Sequence, residues 1–90
     1  MPIRSPAHAA FGEAIRGMRK QRGVSQESLA LECGLDRTYI SGIERGMRNP
    51  SLTNILKIAA ALEVTPEELF ARAQQRTGPA SAGPGGSADA

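Results

Sequence analysis

Two helical segments lie very close together in the first half of the sequence. The first begins after Ser25 and is barely two turns long, and the second begins after Asp36, which leaves only Cys33-Gly34-Leu35 to turn the chain. Serine and aspartate are favoured N-caps, and glycine adopts the left-handed conformation that ends many helices. This spacing predicts two short helices joined by a tight turn, the arrangement of a helix-turn-helix.

Apolar residues around the turn support this interpretation. Ala30 is small enough to let the two helices approach, and Ile40 and Ile43 can anchor the second helix on the first. Leu35 and Ile40 occupy the positions of a hydrophobic staple around the Asp36 cap. A glycine after a short helix is common and would not by itself indicate a helix-turn-helix. The combination of these residues at mutually consistent positions is more specific.

The rest of the chain predicts three more helices. Apolar residues recur at helical spacing in five segments, and the two-residue alternation of β-strands is absent. Helix one is expected over about residues 8–22, and Gly46 is expected to end helix three. Ser51 is a cap for helix four, and Thr65-Pro66-Glu67-Glu68 forms a capping box with proline in the first helical position. The expected fold class is all-α.

The two ends of the sequence differ in composition from its middle. Residues 77–90 contain four glycines, two prolines and no large apolar side chain, so they cannot offset the entropy lost on ordering. The first six residues contain two prolines. We therefore expect a flexible arm over residues 1–6, a folded domain over residues 7–76 and a disordered tail over residues 77–90.

Composition excludes several classes of protein. One cysteine and one histidine cannot form an internal disulfide or supply the three or four ligands of a zinc site. The sequence has no apolar run of the ~18 residues that a membrane span requires, and its N-terminus lacks the apolar core of a signal peptide. No nucleophile with a histidine partner and no glycine-rich phosphate loop appears. We expect a cytoplasmic protein that is not an enzyme, binds no cofactor or metal and does not associate with a membrane.

Positive charge is concentrated in the first half of the chain. Arg4 to Arg48 includes eight basic and five acidic residues, whereas residues 49–90 include three basic and four acidic residues. A modest positive field of this kind suits a polyanionic partner, and it also occurs on surfaces that bind nothing. Charge alone therefore does not decide the function.

Helix three has a packing side and a polar side. At about 100° per residue, the packing side holds Ile40, Ile43 and Glu44, and the polar side holds Arg37, Thr38, Ser41 and Arg45. Arg37 stands at the N-terminal end, the part of a recognition helix that reaches base edges in the major groove of DNA. Its guanidinium can donate two parallel hydrogen bonds to O6 and N7 of guanine. Arg37 is therefore the predicted base-contacting residue.

Gly42 lies in the middle of helix three, where glycine costs about 1 kcal/mol relative to alanine. One interpretation is that the nucleic-acid backbone or a thymine methyl group must approach this position closely. The other is an accident of packing or sequence. The sequence leaves both open.

These segments resemble a known family. The stretch from Gly23-Val24-Ser25-Gln26-Glu27 to Leu69-Phe70 is similar to the Xre-like helix-turn-helix regulators, which include lambdoid phage repressors and Cro proteins. Within it, Leu35-Asp36-Arg37-Thr38-Tyr39-Ile40-Ser41-Gly42-Ile43-Glu44-Arg45 resembles the recognition helix of controller proteins from restriction-modification systems. The resemblance covers about residues 11–70. It implies a five-helix, lambda-repressor-like fold and a homodimer that regulates transcription from a two-fold symmetric double-stranded DNA operator, with RNA polymerase as a further candidate partner.

The same resemblance implies roles for individual residues. Base contacts would come from Arg37, Thr38 and Ser41, and contacts with the DNA backbone from Gln26, Arg45 and Arg48. In phage repressors of this type an arginine of helix one pairs with a glutamate of the recognition helix. The matching residues here are Arg19 and Glu44, and we expect this pair to be partly buried.

Dimerisation is also expected from the size of the recognition helix. One such helix spans only a few base pairs, which is too little to select one site among ~10⁶–10⁹ competing genomic sites. The apolar residues late in the chain predict an interface through helices four and five, formed by Leu56, Leu69, Phe70 and Ala73. Leu56, Leu69 and Phe70 could instead belong to the core of the monomer.

A protein-interaction module is the alternative interpretation. An antitoxin of the same fold, whose main task is to bind another protein, would share most of these sequence features. A monomer that binds a partner tightly and has no sequence preference for DNA would favour this alternative.

Overall fold

Five α-helices make up most of the part of the chain that the structure describes. The computed structural model describes residues 5–85, with side chains as far as residue 75. The helices are α1 (Pro6–Gln21), α2 (Gln26–Cys33), α3 (Arg37–Glu44), α4 (Leu52–Ala61) and α5 (Pro66–Gly85). The all-α prediction is confirmed. No helix in this part of the chain has the length and apolar character needed to cross a membrane.

The predicted caps begin four of the helices. The side chains of Ser25 and Ser51 accept hydrogen bonds from backbone N–H groups three residues later, and Asp36 accepts one from Thr38. At the start of α5, the N–H of Glu68 donates to the Thr65 hydroxyl at 3.0 Å and the N–H of Thr65 donates to the Glu68 carboxylate at 2.7 Å. These contacts form the reciprocal capping box that the sequence predicts.

The ends of α1 to α4 share one hydrogen-bond pattern. In each, a residue beyond the helix donates its N–H to a carbonyl five positions earlier, as in the bond from Met47 to Gly42 at 2.8 Å, which is the Schellman pattern. Gly23, Gly34 and Gly46 take the required positive φ. At the end of α4 the same conformation falls on Glu63, with φ 60°. The sequence placed the end of helix one just before Gly23 and named Gly34 and Gly46 as helix ends, but it gave no such signal at Glu63.

The N-terminal boundary of the domain needs correction. Residues 1–6 were predicted to form a flexible arm, but Ser5 caps α1 and Pro6 is its first residue. The Ser5 hydroxyl accepts from the backbone N–H of His8 at 3.2 Å. Serine followed by proline is itself a helix-start signal, and it moves the start of the domain to Ser5. Residues 1–4 lie outside the described part of the chain.

The core lies where α1 packs against α5 and α3. Helix α2 packs in turn on α3 and α4. The largest side chains with almost no exposure are Ile15, Leu29, Ile40, Ile43, Ile58, Leu62 and Leu69. Cys33 is buried in the same core, and desolvation raises the pKa of its thiol. The core is mostly aliphatic and includes Phe11, in keeping with a sequence that is only 3% aromatic.

Two of the four predicted interface residues belong to this core. Leu69 is fully buried within a single chain, so its assignment to a dimer interface was wrong. Ala73 is 9% exposed and also lines an apolar groove beside Phe70, so its place in an interface stays a prediction. Helix α5 presents these residues to α1, which the sequence of α5 alone could not show. Leu56 and Phe70 are each 47% exposed, and the Phe70 ring stacks on Phe11 with the ring centroids 5.5 Å apart.

Helix α5 extends farther than the predicted domain boundary. The folded domain was expected to end at residue 76, whereas the backbone of α5 is helical to Gly85. Disorder was therefore the wrong expectation for the backbone of residues 77–85. For residues 86–90, which lie outside the described part of the chain, it stays a prediction.

Removal of residues 77–90 tests that boundary. We expect the midpoint of thermal unfolding to stay nearly constant, because this segment has no large apolar side chain to pack on the domain. Circular dichroism of the full chain and of a chain ending at residue 76 would measure the difference. A fall of many degrees would show that the segment packs on the domain.

Candidate nucleic-acid interface

Helix α3 presents a polar surface to solvent on the side that the sequence predicted. Arg37, Thr38 and Arg45 are exposed, and Ser41 is half-buried. The opposite side packs into the protein through Ile40, Ile43 and Glu44. The helix therefore keeps its hydroxyl and guanidinium groups together on one accessible face.

A buried ion pair fixes α3 against α1. The Nε of Arg19 donates to Oε2 of Glu44 at 2.6 Å, and Nη2 donates to Oε1 at 3.0 Å. Arg19 is 8% exposed and Glu44 is 5% exposed. Two parallel bonds between charged groups are strong and directional, and the hydrogen bond to Glu44 raises the pKa of Arg19. The expected pair is present and more deeply buried than the sequence indicated.

The same pair also organises the residues around it. The Nη1 of Arg19 donates to the carbonyl of Val24 at 2.9 Å, in the turn between α1 and α2. The amide Nε2 of Gln26 donates to Oε1 of Glu44 at 2.9 Å. Because an ionised carboxylate only accepts hydrogen bonds, Glu44 determines that the nitrogen of this amide faces inward and the oxygen faces outward.

The outward oxygen of Gln26 contacts the predicted base-contacting residue. The Nη1 of Arg37 donates to Oε1 of Gln26 at 3.3 Å. A continuous chain of hydrogen bonds therefore runs from buried Arg19 through Glu44 and Gln26 to exposed Arg37. The sequence singled out all four residues, but it did not predict that they form one network.

Arg48 lies on another edge of the polar surface. After Gly46, with φ 76°, the chain turns back across the end of α3. The guanidinium of Arg48 lies 5.6 Å from the centre of the Tyr39 ring, within the range of a cation–π interaction. The Tyr39 hydroxyl accepts a hydrogen bond from Nδ2 of Asn54 at 3.0 Å. Tyr39 and Asn54 were not predicted as site residues, because their contacts depend on how α3 and α4 pack.

The structure also shows what lies close to Gly42. A Cβ atom at this position would lie 2.6 Å from Cγ of Arg48. The group that approaches Gly42 in the free protein is therefore the side chain of Arg48. The contact gives the missing side chain a physical reason within the protein, which neither interpretation of the sequence had named.

The family of the protein agrees with this geometry. A family profile described as helix-turn-helix matches residues 15–69, which is more than half of the chain. The protein belongs to this helix-turn-helix family and is a DNA-binding transcriptional regulator.

Controller proteins are among its similar relatives. Control protein C.BamHI of Bacillus amyloliquefaciens is 57% identical over 61 residues, which are 67% of this chain and 75% of that protein. The structure of the restriction-modification controller protein C.AhdI from Aeromonas hydrophila matches with a TM-score of 0.68 and 55% identity, over 69% of this chain and 94% of that one. The structure of C.Esp1396I bound to a 19 base pair DNA duplex matches with a TM-score of 0.74 and 36% identity, over 80% of this chain and 96% of that one.

Truncation of Glu44 tests whether the fold depends on the buried pair. Glu44→Ala leaves the Arg19 guanidinium buried without its carboxylate, and we expect a loss of about 3–5 kcal/mol in the free energy of unfolding. Urea denaturation followed by circular dichroism would measure it. Glu63→Ala is the matched control, since it makes the same truncation in the exposed pair with Arg22, where little change is expected. Equal effects of the two substitutions would contradict the structural role of Glu44.

Proposed function

We propose that this protein binds a two-fold symmetric operator as a homodimer and acts as the controller protein of a restriction-modification system. The observation that carries the proposal is the hydrogen-bond chain that holds Arg37 at the exposed N-terminus of α3. The similarity to C.BamHI and C.AhdI supports the controller role. Occupancy of the operator would recruit or block RNA polymerase at a promoter.

The polar side of α3 supplies the proposed base contacts. Arg37 can donate two parallel bonds to guanine, and the hydroxyls of Thr38 and Ser41 can donate to or accept from base edges. Gln26 supports Arg37 from the side through its amide oxygen. A side chain that is already held in place loses less conformational entropy on binding, which favours Arg37 as the main specificity residue.

The proposed contacts with the DNA backbone lie around this face. An open depression of about 560 Å³ is lined by Arg19, Ser25, Gln26, Glu27 and Arg37 at the start of α2. Backbone N–H groups at a helix N-terminus favour anions, so a phosphate beside Gln26 suits this position. Arg45 and Arg48 would contact phosphates near the C-terminal end of α3.

The proposed dimer surface combines exposed apolar residues of α4 and α5. Leu52 and Leu56 lie one turn apart on α4, with 68% and 47% of their surfaces exposed. A mostly apolar groove of about 410 Å³ is lined by Phe11, Pro50, Ile55, Phe70 and other residues of α1 and α5. Apolar surface of this kind often marks an interface between proteins. Two-fold pairing would place two recognition helices about 34–36 Å apart, one turn of DNA.

The proposed function involves no catalytic step, and a protein that binds promoter DNA would act in the cytoplasm. In the described residues, no three of His, Cys, Asp and Glu come together as metal ligands. The alternative function is that of an antitoxin, which binds another protein. Tight binding of a protein partner by a monomer without sequence preference for DNA would support it against the controller role.

Selection of bound duplexes from random DNA, followed by substitutions, tests base recognition. Arg37→Ala should relax the preference at one base pair of each half-site, at a cost of about 1–3 kcal/mol in discrimination. Gln26→Ala should weaken binding to all sequences, because the amide N–H that does not bond Glu44 would contact a phosphate. Because Arg37 also loses its support, the preference at its base pair should fall by less than in Arg37→Ala. A uniform loss of affinity for all sequences in Arg37→Ala would contradict its assigned role.

The oligomeric state is tested by a charge placed on the dimer surface. Leu56→Asp should give a folded monomer with sharply reduced operator affinity, because a carboxylate in an apolar interface would be desolvated without a partner. Leu31→Asp is the matched control, since Leu31 is 84% exposed on α2, away from the proposed interface. Sedimentation at tens of micromolar, with and without DNA, would measure both variants. A wild-type protein that stays monomeric on its operator would rule out the dimer.

A further inference from the structure

We propose that Gly42 is a positioning residue for DNA binding, because its missing side chain lets Arg48 lie across α3 and present its guanidinium beside the base-contacting face. This inference rests on the proposed contact between Arg48 and the DNA backbone. It gives a function to a residue that otherwise only weakens the helix.

The backbone turn and the glycine act together. Gly46 donates its N–H to Ile43 at 2.9 Å and Met47 donates to Gly42 at 2.8 Å, so the chain after α3 folds back over the last turn of the helix. This path brings Arg48 above Gly42. With any other residue at position 42, the β-carbon would occupy the space in which the stem of Arg48 lies.

The distances show why Arg48 would have to move. A Cβ atom at Gly42 would lie 2.6 Å from Cγ of Arg48, 3.5 Å from its Nε and 3.6 Å from its Cδ. Cγ is only two bonds from the backbone of Arg48, so relief of the contact requires a new rotamer of the whole side chain. A new rotamer would take the guanidinium away from the Tyr39 ring.

Gly12 provides an informative contrast. A Cβ atom there would meet the backbone of Ile43 and Glu44, so a larger residue would push α1 away from α3. At Gly42 the obstructing group is a charged side chain, and the backbone of the helix has an ordinary α conformation. Alanine at position 42 is therefore compatible with the helix and incompatible only with the observed place of Arg48.

The position of Arg48 suits a contact with DNA. Gly42 follows Thr38 by four residues and therefore lies on the same side of α3. Arg48 thus reaches one edge of the surface that carries Thr38 and Ser41, while Gln26 holds Arg37 at the helix N-terminus. The guanidinium lies over the ring of Tyr39, whose hydroxyl is hydrogen-bonded to Asn54.

The test combines Gly42→Ala, Arg48→Ala and the double variant. The probe is a fluorescein-labelled duplex that carries the site selected by the wild-type protein, and Lys57→Ala on α4 controls for loss of one surface positive charge. We expect Gly42→Ala to keep or raise the midpoint of thermal unfolding, because alanine is the better helix former. We expect Gly42→Ala to lower affinity for the duplex about tenfold. In a plot of the logarithm of the binding constant against the logarithm of the salt concentration, we expect the slope to become shallower by about one unit.

The double variant shows whether Gly42 acts through Arg48. We expect it to bind as weakly as Arg48→Ala alone. An unchanged affinity in Gly42→Ala would overturn the inference, and so would a further tenfold loss in the double variant, which would indicate a direct clash of alanine with DNA. If Arg48→Ala binds like the wild type while Arg37→Ala loses base preference, the inference fails and the proposed function stands. If the wild type selects no duplex, both fail.

Discussion

The bidentate ion pair between Arg19 and Glu44 determines how the polar surface around α3 is built. It joins α1 to α3, and the third donor of Arg19 holds the turn before α2 through Val24. Burial of two charges is costly, and buried pairs often contribute little net stability compared with apolar residues of similar size. The pair nevertheless has a consequence that an apolar pair could not have. Its carboxylate sets the direction of the Gln26 amide and, through it, supports Arg37.

Neighbouring residues hold two arginines in place at the polar surface of α3. Arg37 is held through Gln26 at the helix N-terminus, and Arg48 is held by Tyr39 and the space above Gly42. A long flexible side chain normally loses conformational entropy when it is fixed on a ligand. Because the fold restrains both guanidinium groups in advance, binding to DNA would order them at lower cost. The hydroxyl residues between them need less support, since their side chains are short.

Much of the fold was predictable because the relevant interactions are local. The caps at Ser25, Asp36 and Ser51 and the capping box at Thr65 each join groups within three residues. The polar face of α3 follows from helical periodicity alone, and the family resemblance added the partner of Arg19. The start of α1 is encoded just as locally, because Ser5 caps the helix and Pro6 occupies its first position, although it lies inside the segment predicted to be a flexible arm.

Other features depend on which surfaces the distant parts of the chain bring together. The sequence of α5 shows apolar residues at helical spacing, but only its packing on α1 separates buried Leu69 and Ala73 from half-exposed Phe70. The sequence likewise showed that Gly42 is costly, while the tertiary structure identified Arg48 as the group that needs the space. Local hydrogen bonds are encoded by residues within one helical turn, and the sequence by itself determined them. Burial and close approach are set by residues far along the chain, and only the packed structure decided those.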